Sequence, residues 1–242
     1  MKRVLLILTL ALSASLLFAA GQQAAPEGAA PEEVEQVFRA PTLESGTYFD
    51  WMKTVYNRVG QPDVIQLPLT YYDKNYDLHY LGAEDMSVSD DGLTWTINLR
   101  EGLLWSDGEA LTASDYVFAL TRAVQQGYDF GWYWGWAAGI KNWGAVESGD
   151  VPLSEFGVKA IDDTTIQVEI DSPKPYFPGI VSVWFPVPEH AVEEHGDEYA
   201  TRAETMVSSG PFMLTEWVRG NRMVLERNPN YNGPWQPTLD RV

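Results

Sequence analysis

An ordered string of turn, strand, turn and helix signals between Val88 and Val124 constrains the fold of this chain most. Asp90-Asp91-Gly92 is a turn signal, because Asp and Gly tolerate the backbone conformations of tight turns. From Thr94 to Leu99 polar and apolar side chains alternate, and the apolar ones are Trp95, Ile97 and Leu99. A period of two predicts a strand with one buried face.

A capped helix follows a second turn at Asp107-Gly108. Thr112 and Asp115 have the spacing of a capping box, in which the two residues satisfy each other's backbone N–H groups at a helix start. The apolar residues that follow at helical spacing are Tyr116, Leu120, Ala123 and Val124. The pattern predicts an amphipathic helix with one buried face.

Two further hairpins are predicted downstream. Val158 to Ile161 leads into Asp162-Asp163, and an alternating run with Ile166, Val168 and Ile170 returns from that turn. Near the C-terminal end a strand opens at Phe212 and turns at Arg219-Gly220-Asn221 into residues 223–227. We also expect a short helix starting near Glu189 and a first strand near Val37-Phe38.

The N-terminal segment predicts export. Lys2 and Arg3 precede an apolar run from Val4 to Ala20, which ends in small residues, so residues 1–20 are interpreted as a cleaved signal peptide. The alternative is an uncleaved membrane anchor, for which the run is short. Residues 21–33 are rich in Ala, Pro, Glu and Gln and are predicted to be a disordered tether. The chain has no Cys, so it predicts neither a lipid anchor at cysteine nor a disulfide.

Charge and side-chain chemistry exclude several functions. A formal net charge of −18 disfavours nucleic acid and anionic membrane surfaces as partners. The histidines (His79, His190 and His195) do not form a metal-ligand pattern. The paired acids Asp90-Asp91, Asp162-Asp163 and Glu193-Glu194 are adjacent in sequence, whereas catalytic carboxylates must face one another across a substrate. We therefore predict no enzyme activity, no metal and no cofactor.

The order of these motifs resembles one protein family. Leu99-Arg100-Glu101-Gly102, Trp105-Ser106-Asp107-Gly108 and Thr112-Ala113 with Asp115 are similar to a signature of the family 5 extracytoplasmic solute-binding proteins, receptors of bacterial peptide permeases. Further matching segments are 157–165, 172–177, 186–190, 209–212 and 225–231. The resemblance implies an α/β fold like that of type II periplasmic binding proteins, with mixed sheets and flanking helices. It also implies that the chain is the first lobe of a two-lobed receptor whose second lobe is missing: domain I (34–60 plus 183–242, incomplete) and domain II (61–182).

By the same resemblance, the function is periplasmic capture of oligopeptides by a monomer that delivers them to the membrane subunits of an ABC permease. A peptide bound as an added strand is held by main-chain hydrogen bonds, which suits broad specificity. The stretch matching the family's ligand-pairing strand includes Glu44, Ser45 and Gly46, although Tyr48-Phe49-Asp50 departs from the usual pattern there. For Glu44 an exposed loop carboxylate is the alternative reading.

An aromatic segment supplies the other candidate ligand contacts. Between Asp129 and Trp136 large aromatic side chains are interleaved with glycine, and the tryptophans are Trp132, Trp134 and Trp136. Indole faces offer stacking area and a hydrogen-bond donor. Core packing is the alternative for any one of these rings, but we expect at least one to face the cleft.

Two other functions stay open. The tryptophans make an oligosaccharide-binding protein of the same fold a credible alternative, and an exported hydrolase is a third hypothesis. Because the second lobe is missing, we predict little or no ligand affinity for this chain alone.

Overall fold

The computed structural model describes residues 34–41, 46–53 and 62–242. The strands are β1 Thr70–Tyr72, β2 Leu78–Tyr80, β3 Ala83–Val88, β4 Thr94–Leu99, β5 Val158–Ala160, β6 Thr165–Glu169, β7 Phe212–Val218 and β8 Arg222–Arg227. The α-helices are α1 Pro62–Ile65, α2 Ala113–Gln126, α3 Trp143–Glu147, α4 Phe177–Ile180 and α5 Glu189–His195. A π-helix spans Tyr133–Ala137, and short 3₁₀ turns span Leu153–Glu155, Val181–Val183, Gly196–Glu198 and Ala203–Thr205.

The largest sheet in the described part of the chain is antiparallel and has four strands, in the order β3-β4-β6-β5. The predicted alternation in β4 is confirmed, since Trp95, Ile97 and Leu99 are buried while the residues between them are half-buried. The hairpin of β5 and β6 is confirmed as well, with Val158 opposite Val168.

Helix α2 packs against β5 and β6. Its predicted capping box is confirmed, because the Asp115 carboxylate accepts a hydrogen bond from the Thr112 backbone N–H at 2.8 Å. The helix ends at Gly127, whose φ of 60° is the left-handed conformation that glycine accepts at a helix end. The predicted apolar stripe is fully buried.

The remaining strands form two hairpins, β1-β2 and β7-β8. The predicted turn at Arg219 joins β7 to β8, and α5 begins at Glu189 as expected. The expected first strand is only an isolated parallel bridge, Val37 with Arg241, although the Phe38 N–H also donates to the Arg241 carbonyl at 3.0 Å. A strand needs consecutive pairs, and the described part of this segment has a single bridge.

Large aromatic side chains pack in the core between the helices and the sheets. The fully buried ones include Trp105, Tyr116, Trp134 and Trp184. The Trp184 indole N–H donates to the Tyr116 carbonyl at 2.9 Å, and the Tyr116 hydroxyl donates to the Leu67 carbonyl at 2.8 Å. Each of these two rings therefore buries its apolar body while its polar atom is bonded.

In the described part of the chain, no helix has both the length and the apolar character needed to span a membrane. The predicted signal peptide and tether lie outside the described residues. The division into domains I and II stays a prediction.

Candidate functional site

The aromatic segment after α2 forms a helical turn at Gly131-Trp132 that continues into the π-helix. The Ala138 N–H donates to the Tyr133 carbonyl, five residues back, at 2.9 Å. π-Helical turns are rare and are frequent at functional sites, because the wider turn changes the direction in which side chains point. This segment is therefore a candidate site on geometric grounds.

The three tryptophans of this segment have different environments. Trp132 is 57% exposed and Trp136 is 79% exposed, and the two lie about one helical turn apart. We call them the tryptophan pair. Trp134 is fully buried and its ring lies 5.7 Å from Trp184. Trp134 is therefore a core residue and not a ligand contact, because a ring without accessible surface has no face to offer a ligand.

Two glycines hold the face next to the tryptophan pair against the protein. A Cβ atom at Gly131 would lie 3.2 Å from the Trp143 ring, and one at Gly135 would lie 2.9 Å from it. Only a residue without Cβ allows this approach at Gly135. The Trp143 ring thus packs directly under the backbone that presents the tryptophan pair.

Tyr133 anchors the same turn from the side. Its hydroxyl donates to the Ile180 carbonyl in α4 at 2.9 Å, and its ring stacks on Phe130 at 5.0 Å. Burial raises the pKa of the Tyr133 hydroxyl, so it stays protonated and keeps donating at neutral pH. The tryptophan pair is therefore presented by a backbone that is fixed on two sides.

The second candidate segment is the stretch around Gly46. Glu44 and Ser45 lie outside the described residues, so their predicted roles stay predictions. Gly46 is buried, and its carbonyl accepts a hydrogen bond from the Arg219 guanidinium at 3.3 Å. Downstream, the Phe49 N–H donates to the Ala200 carbonyl at 2.9 Å. This segment is held by the protein on at least one edge.

A buried ion pair connects this segment to α2. The Asp50 carboxylate is 1% exposed and accepts a hydrogen bond from Arg122 at 2.5 Å. The guanidinium also lies 5.3 Å from the Tyr128 ring and 5.9 Å from the Tyr199 ring. Burial alone would lower the pKa of Arg122, but the charge and hydrogen bond of Asp50, together with Tyr128 and Tyr199, outweigh burial and the pKa is raised. Because Tyr128 directly precedes the aromatic segment, the Arg122 guanidinium contacts both the stretch after Gly46 and the residue before the aromatic segment.

Sequence reasoning missed Arg122, Asp50 and Arg219. Asp50 was only part of a departure from the family pattern, and Arg219 was only a turn residue. A pattern of residue types does not report pairs that lie 72 and 173 positions apart. In residues 34–41, 46–53 and 62–242 no group of three or more His, Cys, Asp or Glu side chains is placed to hold a metal ion.

The comparisons with known proteins agree on one family. Residues 77–242 match the model described as bacterial extracellular solute-binding proteins, family 5 Middle. The chain is 34% identical, over 99% of its length, to the probable deoxycholate-binding periplasmic protein YgiS of Escherichia coli, of which it covers 45%. It is 37% identical to the periplasmic oligopeptide-binding protein OppA of Escherichia coli over 66% of this chain and 30% of that protein.

A solved structure supports the same fold. The Listeria monocytogenes OppA bound to peptide matches with a TM-score of 0.72 and 30% identity, over 81% of this chain and 40% of that one. The resemblance and the type II binding-protein fold inferred from the sequence are thus confirmed. The chain spans less than half the length of these relatives.

Proposed function

The chain belongs to the family 5 bacterial extracellular solute-binding proteins, and we propose that it is the peptide-contacting part of a receptor that captures oligopeptides for an ABC permease. It acts as a monomer and delivers its ligand to the membrane subunits of the permease. The extracytoplasmic location rests on the family and on the signal interpreted from residues 1–20. Several relatives have names that refer to dipeptides or oligopeptides.

The observation that carries this proposal is the tryptophan pair. Trp132 and Trp136 are exposed although tryptophan is usually mostly buried, and their backbone is fixed by the Trp143 ring and by the Tyr133 hydroxyl. Rigid, exposed indoles are suited to binding because little side-chain freedom is lost when a ligand packs on them. Peptide side chains would stack on these rings, while the main chain of the peptide pairs with the segment before Gly46.

We also propose that the chain catalyses no reaction. His79 in β2 lies 3.2 Å from Asp73, and His190 in α5 lies 2.8 Å from Asp107. In a receptor the ligand must leave unchanged, so shape and stacking matter more than acid–base groups. Turnover of peptide or glycan substrates by the purified chain would support the hydrolase hypothesis instead.

A titration followed by NMR of the tryptophan indole N–H groups tests the proposal. We expect the tetrapeptide Ala-Phe-Ala-Ala at millimolar concentration to shift the Trp132 and Trp136 signals and to leave that of Trp134 in place. Maltotetraose tests the oligosaccharide alternative, and deoxycholate tests the ligand that is named for one relative. Shifts with either of these and none with the peptide would contradict peptide capture.

Substitutions assign the effect to the pair. Trp132→Ala and Trp136→Ala should each weaken the peptide response. Trp235→Ala is the matched control, because Trp235 is also exposed, at 43%, but packs on Tyr71 and His79 in a different loop. An equal loss in all three variants would mean that the peptide does not bind at the tryptophan pair.

A further inference from the structure

A small cavity with aromatic walls is formed by residues of neither candidate segment. Its volume is about 230 Å³, and its described lining residues lie between positions 63 and 81, at 211 and between 231 and 235. Tyr71, Tyr231 and Trp235 supply the rings, and we call it the aromatic cavity. Sites for drug-sized molecules measure about 300 to 1,000 Å³, so this cavity suits a ligand smaller than a tetrapeptide.

The aromatic walls are held by the protein itself. The rings of Tyr71 and Trp235 meet edge-on, with 5.4 Å between their centres and an angle of 88° between their planes. The Tyr231 hydroxyl packs against Gly233, where a Cβ atom would lie 2.3 Å from it. The Gln236 side-chain amide donates to the Gly233 carbonyl at 3.0 Å and fixes the same loop. The rings are therefore already in place for a ligand.

Two polar side chains that line the cavity have oxygens without a donor. The Gln66 side chain is 1% exposed, and its Oε1 atom has no hydrogen-bond partner in the described part of the chain. Asp63 lies at the surface, but nearby protein atoms withdraw its carboxyl from part of its water and raise its pKa. The faces of the surrounding rings carry the negative part of the aromatic quadrupole. These features all favour a positive ligand that donates hydrogen bonds.

The other charged groups around the cavity are already paired. Arg100 donates to the backbone carbonyl of a lining residue at 2.7 Å and forms an ion pair with Glu84. His79, whose ring lies 5.1 Å from one of the wall rings, lies 3.2 Å from Asp73. Asp63 is the one charged side chain among the described lining residues, and no ion pair joins it to any other described residue. An incoming cation would therefore meet one unpaired carboxylate.

We propose that the aromatic cavity binds a small primary alkylammonium ion. An ammonium group has three donors and no acceptor, so it offers a charge to the Asp63 carboxylate and a hydrogen bond to Gln66 Oε1. The ring faces attract the cation, and the walls cover its methylene groups. An anion would be repelled by the carboxylate, and a neutral alcohol would leave that carboxylate without a counterion. The inference does not depend on peptide capture.

The test is an NMR titration that follows the indole N–H signal of Trp235. The probes are n-butylammonium, n-butanol and butyrate, which have similar carbon chains and differ in charge. We expect n-butylammonium to shift the Trp235 signal and n-butanol to bind about fivefold more weakly, as the loss of one partly exposed charge interaction predicts. Butyrate should give no shift. An alcohol or an anion that binds as well as the ammonium ion would overturn the proposal.

Substitutions locate the site. Asp63→Asn should weaken n-butylammonium binding about fivefold. Gln66→Leu removes the acceptor at similar size and should also weaken binding, with the unfolding midpoint measured alongside because Gln66 is buried. Asp77→Asn is the matched control, because it makes the same change of charge between β1 and β2 at a residue that does not line the cavity. Equal binding by the wild type and Asp63→Asn, or an equal loss in Asp77→Asn, would overturn the site.

The outcomes separate this inference from the proposed function. Peptide shifts at Trp132 and Trp136 with no n-butylammonium shift at Trp235 would overturn the ammonium site and leave peptide capture standing. An n-butylammonium shift at Trp235 that Asp63→Asn reduces would support the ammonium site even if Ala-Phe-Ala-Ala gives no response.

Discussion

At the scale of single residues, the contrast between Trp134 and Trp136 gives the first prediction. Trp134→Ala should destabilise the protein by about 3–5 kcal/mol, because it removes a fully buried ring from the core. Trp136→Ala should change stability by about 0.5 kcal/mol or less, since the ring is 79% exposed. Urea unfolding of the two variants measures both values. Equal destabilisation would mean that Trp136 is a packing residue and would weaken its role in ligand binding.

The same residues show what sequence could predict at this scale. Their spacing predicts an aromatic cluster with at least one ring facing the cleft, and it leaves open which rings are buried. Which rings are buried depends on the contact of Trp134 with Trp184, a residue 50 positions away, and on the π-helical turn. The hydrogen bonds of Arg219 depend likewise on carbonyls, which every residue has and which a sequence pattern cannot distinguish.

At the scale of elements, the glycines of the aromatic segment give the second prediction. Gly135→Ala should destabilise the protein by about 1–3 kcal/mol, because its Cβ would lie 2.9 Å from the Trp143 ring and force that ring to shift. Gly144→Ala, in α3, is the matched control. Nothing lies within 4 Å of its Cβ position, and this change should be neutral or stabilising by up to about 1 kcal/mol.

Thermal unfolding and the Trp132 and Trp136 indole signals together check this prediction. Gly135→Ala should move both signals, because the backbone that presents the tryptophan pair is displaced. Unchanged signals and unchanged stability in Gly135→Ala would mean that the Trp143 ring does not support the segment.

The capping box of α2 gives a prediction about pH. Burial raises the pKa of Asp115 above its ordinary 3.8, although the Thr112 N–H donates a hydrogen bond that favours the ionised form. In the window between 3.8 and the higher folded-state pKa, the folded protein binds more protons than the unfolded chain. The contribution of Asp115 to stability therefore falls as pH rises through that window.

Asp115→Asn removes this proton linkage while keeping an acceptor for the Thr112 N–H. Relative to this variant, the wild type should lose stability from about pH 3.5 to about pH 7, a range that includes the lower end of the window at 3.8, by about 1.4 kcal/mol for each unit by which the pKa is raised. Denaturant unfolding of both proteins at the two pH values gives the comparison. A wild type that gains stability relative to the variant over this range would show that the hydrogen bonds, and not burial, dominate at Asp115.

Several of the elements could be predicted from local signals. Turn residues, a period of two and the capping box located β4, α2, the β5-β6 hairpin and the β7-β8 hairpin because each of these depends on neighbours in sequence. The strand expected near Val37 is an isolated bridge, since its partner at Arg241 is 204 positions away and only a short stretch of backbone meets it. Whether such a segment forms a strand depends on long-range pairing and not on local propensity.

At the scale of the whole molecule, the relation between the chain and its longer relatives explains how the site would work. The chain covers 40% of the peptide-bound Listeria receptor. The family fold implies two lobes that close over the ligand, with closure favoured by the ligand's greater affinity for the closed state. Under the proposed function, the tryptophan pair belongs to one wall of such a cleft. Within this chain the buried Asp50–Arg122 pair joins the stretch after Gly46 to α2.

A single wall of the cleft should bind peptide weakly. The expected dissociation constant follows from the free energy of binding. A receptor with micromolar affinity gains about −8.2 kcal/mol from its ligand, and half of that corresponds to a dissociation constant of about 1 mM. We therefore expect this chain to bind Ala-Phe-Ala-Ala with a dissociation constant of about 1 mM or weaker, measured from the indole shifts. Trp132→Ala and Trp136→Ala should each weaken that binding further. A dissociation constant in the micromolar range would mean that this chain forms a complete site by itself and that closure by a second lobe is not needed for capture.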